Sequence, residues 1–492
     1  MKDLKEKTIR GGYSRIGAFA ANFALRVGSM MILARLLSPK DFGLLGMVTA
    51  FTGVLSLFRD FGLSAAAIQL PNVTEAQTST LFWVNLLAGV ILTVLTVLCA
   101  PAVSIFYHEP RLLWVTVVVA IGFLFNGAGI QHYAILQRQM RFSALAFVDV
   151  GSLIISTGIA IGMAKAGYGY WSLVAMPVSL PLAATIGFWM VTRWVPGPPR
   201  REVGLRSMMR FGGKLTLNGF VIYVASNFDK VLIGRFWGAD ALGLYGRAYQ
   251  LIRIPTDNLN TAVGEVAFAA LSRLQDDTKR LKSYFLKGYS LVLACTVPIT
   301  VACGLFSSDM VAVLLGPKWT QAIPIFRFLA PTILVFAIAN PLGWLLNALG
   351  LVGRGLKIAL VAAPLMIASY LCGLSYGPKG VALAYSVVMT LWVIPVILWC
   401  IHGTVFSFMD ILRVISRPLA SVIPSACFAF GVSLLIGQSL HVLPRLVVEC
   451  AILFITYAAL LLLVGGEKSF YLGLLRGLRQ QPSVEEDLTA VL

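Results

Sequence analysis

"ILARLLSPKDFGLLGMV" (Ile32–Val48) and "LIGRFWGADALGLYGRA" (Leu232–Ala248) are two versions of one phrase, set 200 residues apart. At that offset Arg35 falls on Arg235, Gly43 on Gly243, Leu44 on Leu244 and Gly46 on Gly246. Further upstream, Arg10 falls on Arg210 and Gly12 on Gly212. A phrase repeated at one offset in apolar surroundings is the signature of an internal structural duplication.

The surroundings are apolar throughout. Of 492 residues, 58% are hydrophobic and 12% charged, and the mean hydropathy is +0.84. A soluble chain carries roughly twice that share of charge. The apolar residues come in blocks of about 20, long enough to cross a bilayer as helices. The blocks predict an all-α polytopic membrane protein with about fourteen transmembrane helices. The predicted spans cover 14–37, 43–68, 79–106, 112–135, 142–165, 169–193, 211–237, 241–270, 284–306, 324–349, 355–374, 380–402, 418–437 and 443–465.

In this scheme the repeated phrase pairs span 1 with span 7 and span 2 with span 8. Six spans separate the members of each pair, so both copies cross in the same direction. That is a parallel repeat, with its pseudo-symmetry axis along the membrane normal. The predicted organisation is a six-helix bundle over 1–193, a basic cytoplasmic linker over 194–210 and a second six-helix bundle over 211–403. Two additional helices over 404–465 and a cytoplasmic tail over 466–492 complete it.

Most of the 39 lysines and arginines fall in loops on the side of the N-terminus, whereas the opposite loops hold only Lys40, Arg111, Lys165, Lys318, Lys379 and Arg445. Such an excess marks the cytoplasmic side, which puts both termini in the cytoplasm. The net charge of +18 therefore has a topological origin, and no nucleic-acid partner is expected. The residues after Tyr13 lack a small-residue cleavage site, so no cleaved signal peptide is expected. The seven cysteines are scattered without a CxxC, and the four histidines are dispersed. No disulfide framework, metal site or cofactor motif follows from them.

Ionisable groups at bilayer depth cost roughly 2.5–3.5 kcal/mol each on insertion scales, so they pair or line water. Here they concentrate in the repeated helices. Asn22 and Arg26 lie on a polar stripe of span 1. Lys214, Asn218 and Asp229 lie within about 60° of one another on span 7 at ~100° per residue. Arg247, Gln250, Asp257, Asn258, Thr261 and Glu265 share an arc of about 100° on span 8, with Arg253 at its margin. Arg59 and Asp60 mark the end of span 2. Two readings fit these residues: a wet, net-cationic cavity between bundles, or pairing within each bundle, for which Arg253 with Asp257 has i, i+4 spacing. Arg35 and Arg235 sit at helix ends and are read as turn anchors or snorkelling side chains. A cationic cleft suits an anion, because Arg grips phosphate oxygens in a bidentate way.

The stretches "ARLLSPKDFGLLGMV", "FRDFGLSAAAIQ", "STLFWVN", "FYHEPRL", "QRQMRF" and "NFDKVLIGRFWGADALGLYGRAYQL" carry a family resemblance. The sequence resembles the Wzx-type oligosaccharide flippases of the multidrug/oligosaccharidyl-lipid/polysaccharide (MOP) exporter superfamily. The resemblance implies a V-shaped pair of six-helix bundles in a bacterial inner membrane and a rocking, alternating-access cycle that translocates an undecaprenyl-pyrophosphate-linked oligosaccharide from the cytoplasmic to the periplasmic leaflet, for exopolysaccharide or lipopolysaccharide synthesis. It allows coupling to a proton or sodium gradient, needs no cofactor, and points to membrane lipids, a polymerase and a co-polymerase as partners. On that basis Arg26, Lys214 and Arg247 are candidates for the pyrophosphate, and Asn22, Asn218 and Gln250 for sugars. Asp60, Asp229 and Asp257 are candidates for charge balance or ion coupling.

Three alternatives carry weaker support. A multidrug/cation antiporter would want an acidic, aromatic cavity, and a peptidoglycan-precursor flippase is the chemically closer one. A membrane polymerase or ligase needs acid/base groups on an external loop. The longest such loop, about Ser307–Ile323, offers one Asp, one Lys and no His, so the chain is not expected to be an enzyme.

Overall fold

The computed structural model describes residues 21–59, 74–199, 205–275, 277–436 and 440–464, with side chains throughout except at 205–219, 221–222, 258–262, 265–266, 268–269, 436 and 463–464. Among the described residues every regular element is a helix. In chain order they are α1 (21–36), α2 (Pro39–Ser56), α3 (Glu75–Tyr107), α4 (Leu112–Arg138), α5 (Phe142–Lys165) and α6 (Trp171–Thr192). Then follow α7 (205–237), α8 (239–273), α9 (Thr278–Leu305), a short α10 (Ser307–Leu314), α11 (Ala322–Ala348), α12 (Val352–Leu374), α13 (Gly377–Ile401), α14 (Phe408–Ile436) and α15 (Val442–Val464). Ten of these are long and apolar enough to cross a membrane. In a bilayer only a helix satisfies its own backbone, which is why no other element is used.

Capping chemistry sets where the helices begin. Before α2, Ser38 and Asp41 form a reciprocal capping box with Pro39 at the first helical position. Thr74 and Gln77 do the same before α3. The helices thus start four residues earlier than the apolar blocks at 43 and 79. The largest displacement is at α14. Hydropathy places its start at 418, where Pro418 reads as a helix start, yet the helix begins at Phe408. Ser407 and Asp410 exchange hydrogen bonds of 2.9 and 3.2 Å there, and Asp410 also pairs with Lys282 at 2.5 Å. Between α7 and α8 the helix is broken by Gly238 alone (φ 80°, ψ −175°), a conformation open only to glycine. The loop expected over Ser307–Ile323 is instead folded, as α10 and a 3-10 turn at Pro317–Trp319 whose Trp319 is fully buried.

The contacts divide the chain into two compact units. The first comprises Met1–Tyr249, Leu314–Ile325 and Val361–Tyr385. Its packing is organised around α4. Added Cβ atoms on Gly89 of α3 and Gly127 of α4 would each lie 2.7 Å from a backbone oxygen of the other helix. Small residues let the two backbones touch, which is how helices gain packing energy where lipid already satisfies apolar surface. On its other side α4 meets α6, where Thr185 donates to the Phe125 carbonyl at 2.7 Å and Trp189 to that of Ala128 at 2.9 Å. Beyond the end of α3, Arg111 grips Glu109 through two hydrogen bonds of 2.7 and 2.9 Å. The guanidinium holds the Glu109 carboxyl below the usual carboxylate range.

The second unit comprises Gln250–Val313, Phe326–Leu360 and Ser386–Leu492. Its largest core joins α9, α11, α13 and α14 through Phe285, Tyr289, Leu293, Leu342, Ile397 and Ile411. Helix α9 extends this core to α14 and α15 through Val297, Val422, Tyr457 and Leu461. Asp309 of α10 receives a bidentate grip from Arg445 of α15, with the Nε bond at 2.5 Å.

Candidate functional site

Arg26 of α1 is exposed and Asn22 half-buried, and Ser29 turns its hydroxyl back onto the Arg26 carbonyl at 2.9 Å. Asp149 of α5 lies within electrostatic reach of Arg26. Arg59, at the end of α2, donates to Asn126 of α4 at 3.3 Å. Asp60 lies outside the described residues, as do the side chains of Lys214 and Asn218.

The partners of α7 and α8 differ from a simple wet wall. Asp229 is fully enclosed, 0% exposed. Its carboxylate accepts from the Tyr245 hydroxyl at 2.7 Å and from the Lys230 backbone at 2.8 Å. Tyr370 and Tyr385, both buried, have ring centres 5.3 Å apart with the rings tilted at 35°, and Tyr370 is close enough to feel the Asp229 charge. The helical wheel puts Asp229 on the Lys214 face, but burial depends on what packs there, and α8 brings tyrosines. Lys230 points elsewhere, as its angular position predicts, onto Asn227 Oδ1 at 2.6 Å. Arg247 is also withdrawn: its guanidinium lies 4.0 Å over the Phe42 ring. That geometry is worth about 2 kcal/mol when desolvated.

Tyr245→Phe should therefore leave a buried carboxylate oxygen short of its donor. The expected loss is about 2–3 kcal/mol of stability, read as a lower thermal midpoint of the purified protein. An unchanged midpoint would mean that the hydroxyl contributes nothing to holding Asp229.

In the second unit, α8 continues the polar face. Gln250 and Asp257 are exposed, and Arg253 pairs with Asp257 at 3.0 Å, the i, i+4 pairing its spacing allows. The same guanidinium lies 5.5 Å from the Phe336 ring centre. Phe336 belongs to a crevice with Thr256, Thr296, Asn340 and Trp344. The crevice volume is about 10 Å³, room for a single water rather than a sugar ring. The α11 wall was not legible in the sequence, because Phe336, Asn340 and Trp344 read there as ordinary span residues. Arg35 and Arg235 do sit at turns: Arg235 lies 5.7 and 5.8 Å from the Phe106 and Phe236 ring centres, and Arg35 packs beside Gly316.

Chemically, within the first unit Arg26 and Asn22 of α1 offer a cation and an amide, and within the second unit Gln250 of α8 offers an amide, groups that suit an anionic, hydroxyl-rich molecule. Among the described residues no cluster of three or more His, Cys, Asp or Glu could hold a metal ion.

Residues 32–324 match the family described as polysaccharide biosynthesis protein. The chain is 32% identical to the teichuronic acid biosynthesis protein TuaB of Bacillus subtilis over 59% of its own length, a match spanning 61% of that relative. It is 25% identical to the lipopolysaccharide biosynthesis protein WzxC of Escherichia coli K12, over 78% of this chain and 79% of that one. It is 23% identical to the succinoglycan biosynthesis transport protein ExoT of Rhizobium meliloti, over 68% and 67%. Among solved structures, the lipid II flippase MurJ in an inward closed conformation superposes with a TM-score of 0.75 at 13% identity, covering 94% of this chain and all of that one. An inward-facing multidrug resistance MATE family transporter of the MOP superfamily gives 0.61 at 14% identity, covering 80% and 95%. These structures share the fold, and the family match covers more than half of the chain. The chain therefore belongs to the polysaccharide biosynthesis protein family, as a multi-pass membrane protein with the helical fold of those solved structures.

Proposed function

We propose that the chain moves a lipid-linked oligosaccharide, with undecaprenyl pyrophosphate as the carrier, from the cytoplasmic to the periplasmic leaflet. The observation that carries this reading is the family match over residues 32–324. The chemistry agrees with it. Moving an ion from water into hydrocarbon costs of order 20 kcal/mol in the Born limit. A protein path that keeps the headgroup on cations and amides, with the lipid tail left in the bilayer, removes most of that cost. In this reading Arg26, Lys214 and Arg247 meet the pyrophosphate, and Asn22, Asn218 and Gln250 meet sugar hydroxyls. Asp60, Asp229 and Asp257 balance charge or take the coupling proton or sodium ion. A polymerase and co-polymerase would consume the product.

The test is leaflet transfer in proteoliposomes, followed with an impermeant enzyme that modifies only sugars on the far side. Wild type is expected to transfer an undecaprenyl-pyrophosphate oligosaccharide, faster under a proton or sodium gradient. Arg26→Ala and Lys214→Ala are each expected to slow transfer at least tenfold, since charge-assisted contacts are worth ~1.5–3 kcal/mol. Transfer of lipid II in preference to the oligosaccharide would replace this substrate with a peptidoglycan precursor. Absence of transfer under any gradient would remove the flippase reading.

A further inference from the structure

The two copies of the repeated phrase end their helices differently. At the offset of 200, Ala34, Arg35, Leu36 and Leu37 correspond to Gly234, Arg235, Phe236 and Trp237. In the first copy the chain itself covers the helix end. Trp319, fully buried, donates its indole N–H to the Ala34 carbonyl at 2.9 Å. Lys318 donates to the Leu36 carbonyl at 3.2 Å, and Arg35 lies beside Gly316. In the second copy the arginine stands among exposed rings, all of them within the first unit.

The packing around Arg235 fixes where it stands. Gly234 lets α7 come against the end of α3, since an added Cβ would lie 2.9 Å from the Tyr107 ring. That approach sets Arg235 beside Phe106, the residue before Tyr107. The guanidinium carbon is 5.7 Å from the Phe106 ring centre and 5.8 Å from that of Phe236, so rings from two helices hold it. Trp237 steadies the last turn of α7 by donating to the Leu374 carbonyl of α12 at 2.8 Å. Among the described residues Arg235 has no hydrogen-bond acceptor and no ion-pair partner.

A guanidinium stacked on rings keeps its N–H edge free, and that edge matches two oxygens of a phosphate. A stem already held by two rings also loses less rotamer freedom on binding than a free one. The surroundings indicate what carries the phosphate. Ile105 is 75% exposed, Phe236 63%, Trp237 47% and Phe106 45%. These side chains flank the cation at the ends of α3 and α7, the level at which acyl chains give way to headgroups. A free phosphate ion would leave them in water, whereas a lipid covers them with its chains.

We propose that Arg235, clamped between Phe106 and Phe236, binds the phosphate of a lipid in the leaflet opposite the basic linker. On the topology expected from the basic residues, that leaflet faces away from the cytoplasm. Two lipids carry this chemistry: a resident anionic phospholipid, and a polyprenyl carrier that has reached that leaflet. The site itself stands apart from the transport reading, on which only the second source depends.

The test uses the full chain in liposomes of a phosphate-free galactolipid, with a trace of phosphatidylglycerol that carries a photoactivatable diazirine on one acyl chain. Cross-linked peptides are mapped by mass spectrometry and scaled to cross-links at the exposed Ile423 of α14. Wild type is expected to cross-link at Ile105, Phe106 and Phe236. Arg235→Gln is expected to reduce these products at least fivefold, and Arg235→Lys, which keeps the charge and loses the fork, to fall between. In wild type, excess undecaprenyl phosphate or unlabelled phosphatidylglycerol is expected to compete, the stronger of the two identifying the source. Dioleoylglycerol and inorganic phosphate are expected not to compete. Unchanged cross-links in Arg235→Gln would overturn the site, as would competition by dioleoylglycerol or inorganic phosphate equal to that by the phosphate lipids. Should Arg235→Gln fail to accumulate, the competition series in wild type decides alone.

Discussion

Arg445→Leu is expected to be among the most damaging single substitutions in the protein, costing about 3–5 kcal/mol. Asp309 is 5% exposed, and its side chain is held by a bidentate grip from Arg445. Removing the guanidinium strands a largely enclosed carboxylate without its counter-charge. Removing both charges is a different experiment. Asp309→Leu with Arg445→Leu should recover most of the loss, because the cost of the single change is mainly that of the charge left behind rather than the worth of the pair. Thermal unfolding in detergent reads both, with a fall in Tm of several degrees expected for the single variant. Equal values for the single and double variants would show that the two residues are not energetically coupled. The bond ties α10 to α15 within the second unit, so it also predicts that the additional helices loosen first in Arg445→Leu, visible as faster proteolysis between α14 and α15.

The second large effect is expected at the crossing of α3 and α4. Gly127→Leu places its Cβ 2.7 Å from the Asn85 carbonyl oxygen and 3.3 Å from the Gly89 Cα. Backbone cannot swing aside as a side chain can, so the helices must separate along the whole contact. Overpacking costs typically 1–3 kcal/mol where side chains absorb it, and at least about 3 kcal/mol is expected where backbone must. Gly127→Ala should show a smaller loss of the same sign. Membrane accumulation and Tm measure the series. A Gly127→Leu variant that accumulates and melts like wild type would mean that α3 and α4 are not pressed together at this point. Because α4 also carries Asn126, the partner of Arg59, displacement here is expected to reach the polar residues of the first unit.

Much of the fold was legible from the apolar blocks and the offset of 200. Of the glycines shared by the two copies, Gly43 and Gly243 turned out to meet one another. The site was legible as a set of residue types on particular helices, and less so as an arrangement. Arg253 with Asp257 could be read from i, i+4 spacing, since both ends of the bond lie on one helix. Asp229 and Arg247 could not be placed by the same rule. A helical wheel gives the direction of a side chain from its own axis and says nothing of what stands opposite, and here Tyr245 and Phe42 do. Trp319 carried no signal at all, because a tryptophan beside a proline in a loop is ordinary until the segment is seen packed on α1.

By itself, the sequence determined that the protein spans the membrane as helices and which helices carry polar groups, and its repeated phrase set the expectation of two related halves. These follow from hydropathy, periodicity and capping, which act over a few turns of one chain segment. Only the tertiary structure decided which of those polar groups are enclosed and which remain open, and that the two copies of one phrase close upon each other. Those outcomes depend on contacts between residues hundreds of positions apart, where packing and desolvation, rather than local preference, choose the partner.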